Sequence, residues 1–197
     1  LNDVEFKENT EYFMEVSATT KMDWGILPIG FEVAHEQIAL TSKFEKVMTD
    51  ITSESKLSIV ESEELVNVYN DNLNLVFDKN EGRITSYRFN GNQLLKEGKG
   101  PKPNFWRAVT DNDFGNGMAN KNIEWKIASN NSKVTDINII ESTGGSILMT
   151  VSYTLPAVET TFTSVYTIYG NGVVKIDNTL NSTAFKGDIP RIGMRLQ

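Results

Sequence analysis

Alternation of apolar and polar residues dominates this chain. In the segment 12–18 the apolar side chains Met14 and Val16 alternate with the polar side chains Glu15 and Ser17. Successive side chains of a β-strand point to opposite faces, so this period of two is typical of a strand with one buried face. These segments are also rich in the β-branched and aromatic residues that strands favour. The same alternation predicts strands at 72–78, 84–89, 147–153, 162–169 and 173–180.

Turn residues separate the predicted strands. Asn90-Gly91 is a strong hairpin signal, because both turn residues must accept a positive φ. The segments 79–82 and 170–172 and the pair Gly144-Gly145 are also typical of tight turns. Strands therefore recur at intervals of about 8–12 residues, which is the spacing of antiparallel sandwiches and barrels.

Helical periodicity is weak throughout the chain. The segment 122–128 is compatible with either a short helix or a strand, and the pattern does not decide between them. Since no segment keeps a helical period over three turns, we predict an all-β chain built from antiparallel sheets.

A change in composition at 49–64 predicts a domain junction. This stretch is polar and charge-rich, and only the short apolar run 57–60 interrupts it. About three strands are expected before it, too few to close a sandwich alone, and about nine after it. The N-terminus lacks an initiator Met, and 192–197 alternates like a strand without a closing turn. These features predict an internal piece of a longer protein.

Composition and charge narrow the classes of function. The 197 residues carry a formal net charge of −7. That balance disfavours nucleic-acid binding, which depends on neutralising phosphates, and attachment to an anionic membrane surface. Cysteine is absent, which excludes disulfides, zinc–thiolate sites and cysteine nucleophiles and leaves the compartment open. Because His35 is the single histidine, we expect it to be a structural residue rather than a catalyst or a metal ligand.

The densest cluster of polar residues is 104–117. Asp111 and Asp113 are spaced like the first ligands of a calcium loop, but Asn116 and Asn122 replace the Gly and Glu that such a loop requires. The two carboxylates could also be the acid and the nucleophile of a glycosidase, which must lie at a fixed separation across a sugar-binding cleft. Many acidic pairs in an acidic protein could meet that requirement, so the signal is weak. We therefore favour a turn in which Asp and Asn side chains bond their own backbone.

Three tryptophans could stack on sugar rings. We expect Trp106 to lie in the core, and we leave Trp24 open.

Three segments resemble the large β-galactosidases of glycoside hydrolase family 2. Residues 103–115 resemble the P-N-F-W-R-A-P-T-D-N-D-x-G signature of the C-terminal small-chain domain. Residues 30–37 resemble the G-H-E-V-A-W-E-Q segment of the preceding domain, and 190–194 resemble the P-R-I-G strand. The departures are Val109 for the usual proline, Phe31 for histidine and His35 for tryptophan.

The resemblance implies a fold for each part of the chain. Residues 1–56 would be the C-terminal strands of an immunoglobulin-like β-sandwich. Residues 62–197 would be the N-terminal half of a small-chain supersandwich, a galactose-mutarotase-like antiparallel β-sandwich.

The resemblance also implies where the chemistry lies. In this family the two catalytic glutamates and the magnesium ligands belong to a (β/α)₈ barrel, so no catalytic residue, metal ligand or cofactor is expected in this chain. The segment after D-N-D-x-G approaches the mouth of the sugar pocket and can move. In this chain that segment would be 115–122. Together with the end of the motif, it makes Asp111, Asn112, Asp113, Gly115 and Asn116 the candidate residues of the pocket loop.

The resulting interpretation is a non-catalytic C-terminal fragment of a β-galactosidase. Its expected partners are the remainder of the enzyme and, in the whole enzyme, a galactoside, with no nucleic acid or membrane. Two alternatives remain, a free-standing carbohydrate-binding module and a structural or adhesive β-sandwich without a sugar site.

Three structural expectations follow. We expect 104–113 to be fixed, with Arg107 paired to Asp111 or Asp113. We expect 115–122 to be a mobile loop without a bound metal, because its glycines and single large apolar side chain offer little burial. The missing half of the supersandwich should leave an unpaired edge strand and an exposed apolar face, so the fragment should self-associate.

Overall fold

A computed structural model describes residues 6–7, 10–40, 55–96, 98–142, 144–181 and 187–197. Residues 49–54 of the predicted junction lie outside these ranges. The chain divides into two units, residues 1–50 and residues 51–197.

The first unit contains an antiparallel pair of strands. Strand β1 (Phe13–Thr19) pairs with β2 (Glu32–Ala39), and Phe13 lies opposite Ala39. The connecting segment is ordered by hydrogen bonds: the Ile29 amide donates to Asp23 Oδ1 at 2.8 Å. Both strands are exposed along almost their whole length. Nothing here tests the assignment of this unit to an immunoglobulin-like domain, so it stays a prediction.

The second unit opens with a five-stranded antiparallel meander. Its strands are β3 (Ser58–Glu61), β4 (Leu65–Tyr69), β5 (Leu73–Asp78), β6 (Arg83–Phe89) and β7 (Asn92–Gln93), in sequence order across the sheet. Asn90 (φ 49°) and Gly91 (φ 78°) form the tight turn from β6 to β7, as the sequence predicts.

Short helices follow this sheet. After β8 (Lys102–Asn104) come α1 (Asp111–Asn116), α2 (Met118–Lys121) and α3 (Ile123–Asn130). The segment 122–128, left open between helix and strand, is therefore mostly helical.

The prediction of a loop at 115–122 is wrong, because this segment belongs largely to α1 and α2. Gly117, at φ 73°, ends α1 in the left-handed conformation instead of loosening the chain. Met118 is buried and anchors α2. The segment is thus helical, with one buried apolar side chain and a glycine at the helix end.

A four-stranded antiparallel sheet completes the main core. It contains β9 (Lys133–Glu141), β10 (Ile147–Leu155), β11 (Thr160–Ile168) and β12 (Val174–Asn181), in the order β12-β11-β10-β9. A 3-10 turn at Pro156–Val158 joins β10 to β11. Finally, β13 (Gly193–Arg195) pairs with β8 as a separate ribbon.

Both larger sheets contribute to one hydrophobic core. Phe77 of β5 packs edge-on against Tyr166 of β11, with ring centroids 5.5 Å apart. The Tyr153 hydroxyl of β10 donates a hydrogen bond to the carbonyl of Gly82, whose φ is 65° and whose missing Cβ would lie 2.5 Å from Val134 Cγ2. The predicted class, antiparallel β with few short helices, is confirmed.

Candidate functional site

The segment after β8 is held in the core by Phe105. This side chain is fully buried and contacts the rings of Trp125 on α3 and Phe162 on β11, each with centroids 5.4 Å away. The Phe105 amide donates to Ser129 Oγ at 2.7 Å, and that hydroxyl donates to the Trp125 carbonyl at 2.9 Å. Strand β8 and helix α3 are therefore joined by both packing and hydrogen bonds.

Arg107 and Asp113 fix the start of α1. The guanidinium donates to both carboxylate oxygens, Nη1 to Oδ2 at 2.5 Å and Nη2 to Oδ1 at 2.8 Å. Thr110, the N-cap residue, donates to Oδ2 from both its amide and its hydroxyl at 2.8 Å. The pKa of the Asp113 carboxyl is held far below its usual range, first by Arg107 and then by Thr110. The expected pairing of Arg107 with an acidic residue of this segment is confirmed, and the partner is Asp113.

The five predicted pocket residues lie on one short helix but face different surroundings. Asp113 is buried, whereas Asp111, Asn112, Gly115 and Asn116 are exposed. Nothing here tests their role at a sugar pocket, so that role remains a prediction.

The favoured turn at 111–113 is corrected, since these residues begin α1. Both carboxylate oxygens of Asp113 accept hydrogen bonds from Arg107 and Thr110, so this residue is committed to holding the helix. A carboxylate paired in this way stays ionised and cannot act as a general acid at neutral pH.

The ribbon of β8 and β13 brings two distant motifs together. Gly193 lies opposite Asn104, and Met194 lies opposite Pro103. A cavity of about 550 Å³ opens beside this ribbon. Its wall includes Trp106, Arg107, Lys126, Arg191 and Arg195. Sequence reasoning missed this cavity, because its walls come from three separate segments, 104–108, 126–130 and 191–196, and no local pattern indicates that they meet.

The three tryptophans have different environments. Trp106, expected in the core, packs against it but is only half-buried and lines the cavity, with Lys126 Nζ 5.9 Å from its ring centroid. Trp125 is the fully buried one, while Trp24 in the first unit is 76% exposed.

Within the described ranges, no three His, Asp or Glu side chains lie together as a metal site would require. Among those residues no helix is long and apolar enough to cross a membrane.

Comparison with known proteins agrees with these motifs. The family model described as "Beta galactosidase small chain" matches residues 69–197. β-Galactosidases of Priestia megaterium and Clostridium acetobutylicum are each 30% identical to this chain, over 95% and 84% of its length. The "Beta-galactosidase small subunit" of Latilactobacillus sakei is 24% identical over 71% of this chain and 50% of its own length. The chain spans 18% of the length of the first two relatives. The resemblance seen in the three motifs is thereby confirmed, and the chain belongs to the β-galactosidase small chain family.

Proposed function

We propose that this chain is a non-catalytic part of a β-galactosidase that hydrolyses terminal β-D-galactosides. In that enzyme it supports the catalytic barrel and helps to wall the sugar pocket through α1. The observation that carries the proposal is that α1 is anchored through one buried residue while its other polar residues stay exposed. Arg107 and Thr110 anchor it through Asp113, while Asn112 and Asn116 stay exposed on a held helix.

The absence of catalytic groups from this chain is part of the proposal. Retaining glycosidases place two carboxyl groups about 5–5.5 Å apart, one as acid/base and one as nucleophile. Asp113 cannot supply the acid while its pairing with Arg107 keeps the carboxyl ionised. We assign both carboxylates, together with magnesium, to the barrel of the complete enzyme. In this proposal, residues of this chain take no part in the chemical steps.

The name of one relative supports a division of labour. The Latilactobacillus sakei protein is called a small subunit. By analogy, the proposed partner of this chain is the larger, catalytic portion of the enzyme. The sheet edges of an isolated fragment would attract further strands, so self-association of the fragment remains part of the proposal.

Activity measurements test the non-catalytic assignment. The isolated chain, incubated with a chromogenic β-galactoside, should show no turnover. Turnover that survives repurification and disappears in Asp111→Asn would overturn the assignment. Titration with galactose, followed by tryptophan fluorescence, adds a second readout: saturable binding to the isolated chain would favour the carbohydrate-binding module instead.

Substitutions on α1 test the pocket wall. In the complete enzyme, Asn112→Ala combined with Asn116→Ala should raise the KM for a galactoside severalfold. Asn138→Ala, at an exposed position of β9, is the matched control and should leave kinetics unchanged. If the α1 variant behaves like the control, α1 does not wall the pocket.

A further inference from the structure

Positive charge collects on one side of the second unit. Residues 51–197 contain 15 basic and 16 acidic side chains, so this part of the chain is nearly neutral. Nevertheless, none of the described residues that line the cavity of about 550 Å³ is an Asp or Glu. A smaller cavity of about 210 Å³ adjoins it and shares Arg195 and Leu196. We call the two together the basic cleft; its basic residues are Arg83, Lys99, Lys102, Arg107, Lys126, Arg191 and Arg195.

Neutralisation of the basic cleft from within the chain is incomplete. Arg107 pairs with Asp113, and Arg83 pairs with Glu81. Over the described ranges, no carboxylate lies within ion-pair distance of Lys126, Arg191 or Arg195. Several like charges that share one cleft create a potential that attracts an anionic partner.

The pKa of Lys102 agrees with this excess of charge. Burial lowers it first, and the neighbouring cations Arg83 and Arg195 lower it further, although Glu81 opposes them. Lys102, which lines the smaller cavity, is therefore repelled by the neighbouring cations.

The cleft is held in shape before any partner arrives. Its floor is the β8–β13 ribbon, and one wall is Trp106, with the Lys126 ammonium near its ring. Gly193 leaves room for Arg191: a Cβ at position 193 would lie 3.3 Å from Arg191 Nε. Rigid arginine forks match carboxylates well, because one guanidinium can donate to both oxygens.

From these observations we infer that the basic cleft binds an acidic segment of the polypeptide that completes the enzyme. This inference rests on the proposed function. The adjoining cavities form a site much larger than a single inorganic anion needs, and their seven cations are spread along it. Since the chain spans only 18% of its relatives' length, most of such an enzyme lies outside this chain. Carboxylates from that part would neutralise the cations that have no ion-pair partner among the described residues.

Carbodiimide cross-linking of the complete enzyme tests the contact directly. This zero-length reagent joins a lysine amine to a carboxylate only when the two touch, and mass spectrometry then identifies both residues. We expect Lys126 or Lys102 to be joined to an Asp or Glu outside residues 1–197. The ion pair of Lys79 with Glu61, at 2.5 Å, supplies a positive control within the chain.

Three results would overturn the inference. One is a Lys79–Glu61 product without any product from Lys126 or Lys102. The second is a product that joins these lysines only to residues of this chain, in the same or a second copy. The third is loss of the product when inorganic phosphate is added at matched ionic strength, with sodium chloride as the control, since this would indicate a small-anion site.

Variants separate the cleft from general charge effects. Arg191→Gln with Arg195→Gln should abolish the Lys126 product, and Gly193→Ala should weaken it by displacing Arg191. The matched control, Lys133→Gln with Lys175→Gln, removes the same charge elsewhere and should leave the product unchanged. Equal loss in both double variants would also overturn the inference. The cross-link can be absent even if the chain is a non-catalytic part of the enzyme. The cross-linking result therefore tests the cleft independently of the proposed function.

Discussion

The two units of this chain use strands of similar composition, yet only the second buries them. Val16, on the apolar face of β1, is 47% exposed, whereas Phe77 on β5 is fully buried. Both lie on strands that alternate apolar and polar residues. The difference is that β5 belongs to a sheet whose apolar face packs against a second sheet, while the described strands of the first unit form only a pair. Alternation therefore predicts a strand, but burial requires an opposing layer.

Separating the units should give the largest effect. A peptide of residues 1–50 should show no cooperative unfolding, because a two-stranded hairpin is at best marginally stable in water. Residues 51–197 should unfold cooperatively, with a free energy of unfolding of about 5 kcal/mol or more. Urea titration followed by far-UV circular dichroism measures both. A sigmoidal transition in the short peptide would contradict the comparison.

The same substitution in each unit should give unequal costs. Phe77→Ala removes a ring packed against Tyr166 and should lower the free energy of unfolding by about 3–5 kcal/mol. Phe13→Ala, the matched control, should cost less than about 0.5 kcal/mol, because the ring is half exposed. Denaturant titration of the full chain gives both values, and similar costs would mean that Phe13 is packed more tightly than its exposure indicates.

Alkaline pH should destabilise the second unit through its buried tyrosines. Burial raises the pKa of Tyr153 from 10.0 to about 12 and raises that of Tyr166 as well. The unfolded chain loses these protons first, so the stabilisation is complete below pH 10 and is lost as the pH rises to about 12. The share of Tyr153 is about 3 kcal/mol. Unfolding midpoints measured from pH 9 to 12 should fall less steeply in Tyr153→Phe than in the wild type; equal slopes would refute this.

Acid should produce the smallest effect, at the start of α1. The pKa of Asp113 is lowered from 3.8, chiefly by Arg107, so its stabilising contribution is present above pH 3.8 and is lost as the pH falls below that value. Asp113→Asn should therefore be less stable than the wild type at pH 7, and the gap should narrow towards pH 3. Thermal unfolding at several pH values measures the gap. For the control Asp136→Asn, at an exposed position of β9, the difference in stability from the wild type should not depend on pH. If the difference for Asp113→Asn also stays constant with pH, the ion pair is not its cause.

Local sequence patterns predicted the strands well and the helices poorly. The alternation at 84–89 and the Asn90-Gly91 pair correctly indicated β6 and its turn, because strand period and turn geometry are properties of adjacent residues. The segment 115–122 was wrongly expected to be a loop, because its glycines suggested disorder. The segment is helical, and Met118 within it is buried. A count of apolar residues along the sequence does not show which of them become buried in the folded chain.

The candidate site divides in the same way. The pairing of Arg107 with an acidic neighbour could be expected, since Asp113 follows six residues later in the same segment. The basic cleft could not be expected from the sequence, because Lys126 and Arg191 come from segments far apart in the chain. Only the pairing of β8 with β13 places them around one cavity.

The sequence by itself determined the antiparallel β class, the hairpin turns and the membership of the family, because each depends on short runs of neighbouring residues. Tertiary structure alone decided which strands are buried, that Asp113 rather than Asp111 pairs with Arg107, and that seven basic side chains share one cleft. The physical reason is that burial and charge clustering depend on distances between segments remote in sequence. The folded backbone sets those distances, and a one-dimensional pattern does not contain them.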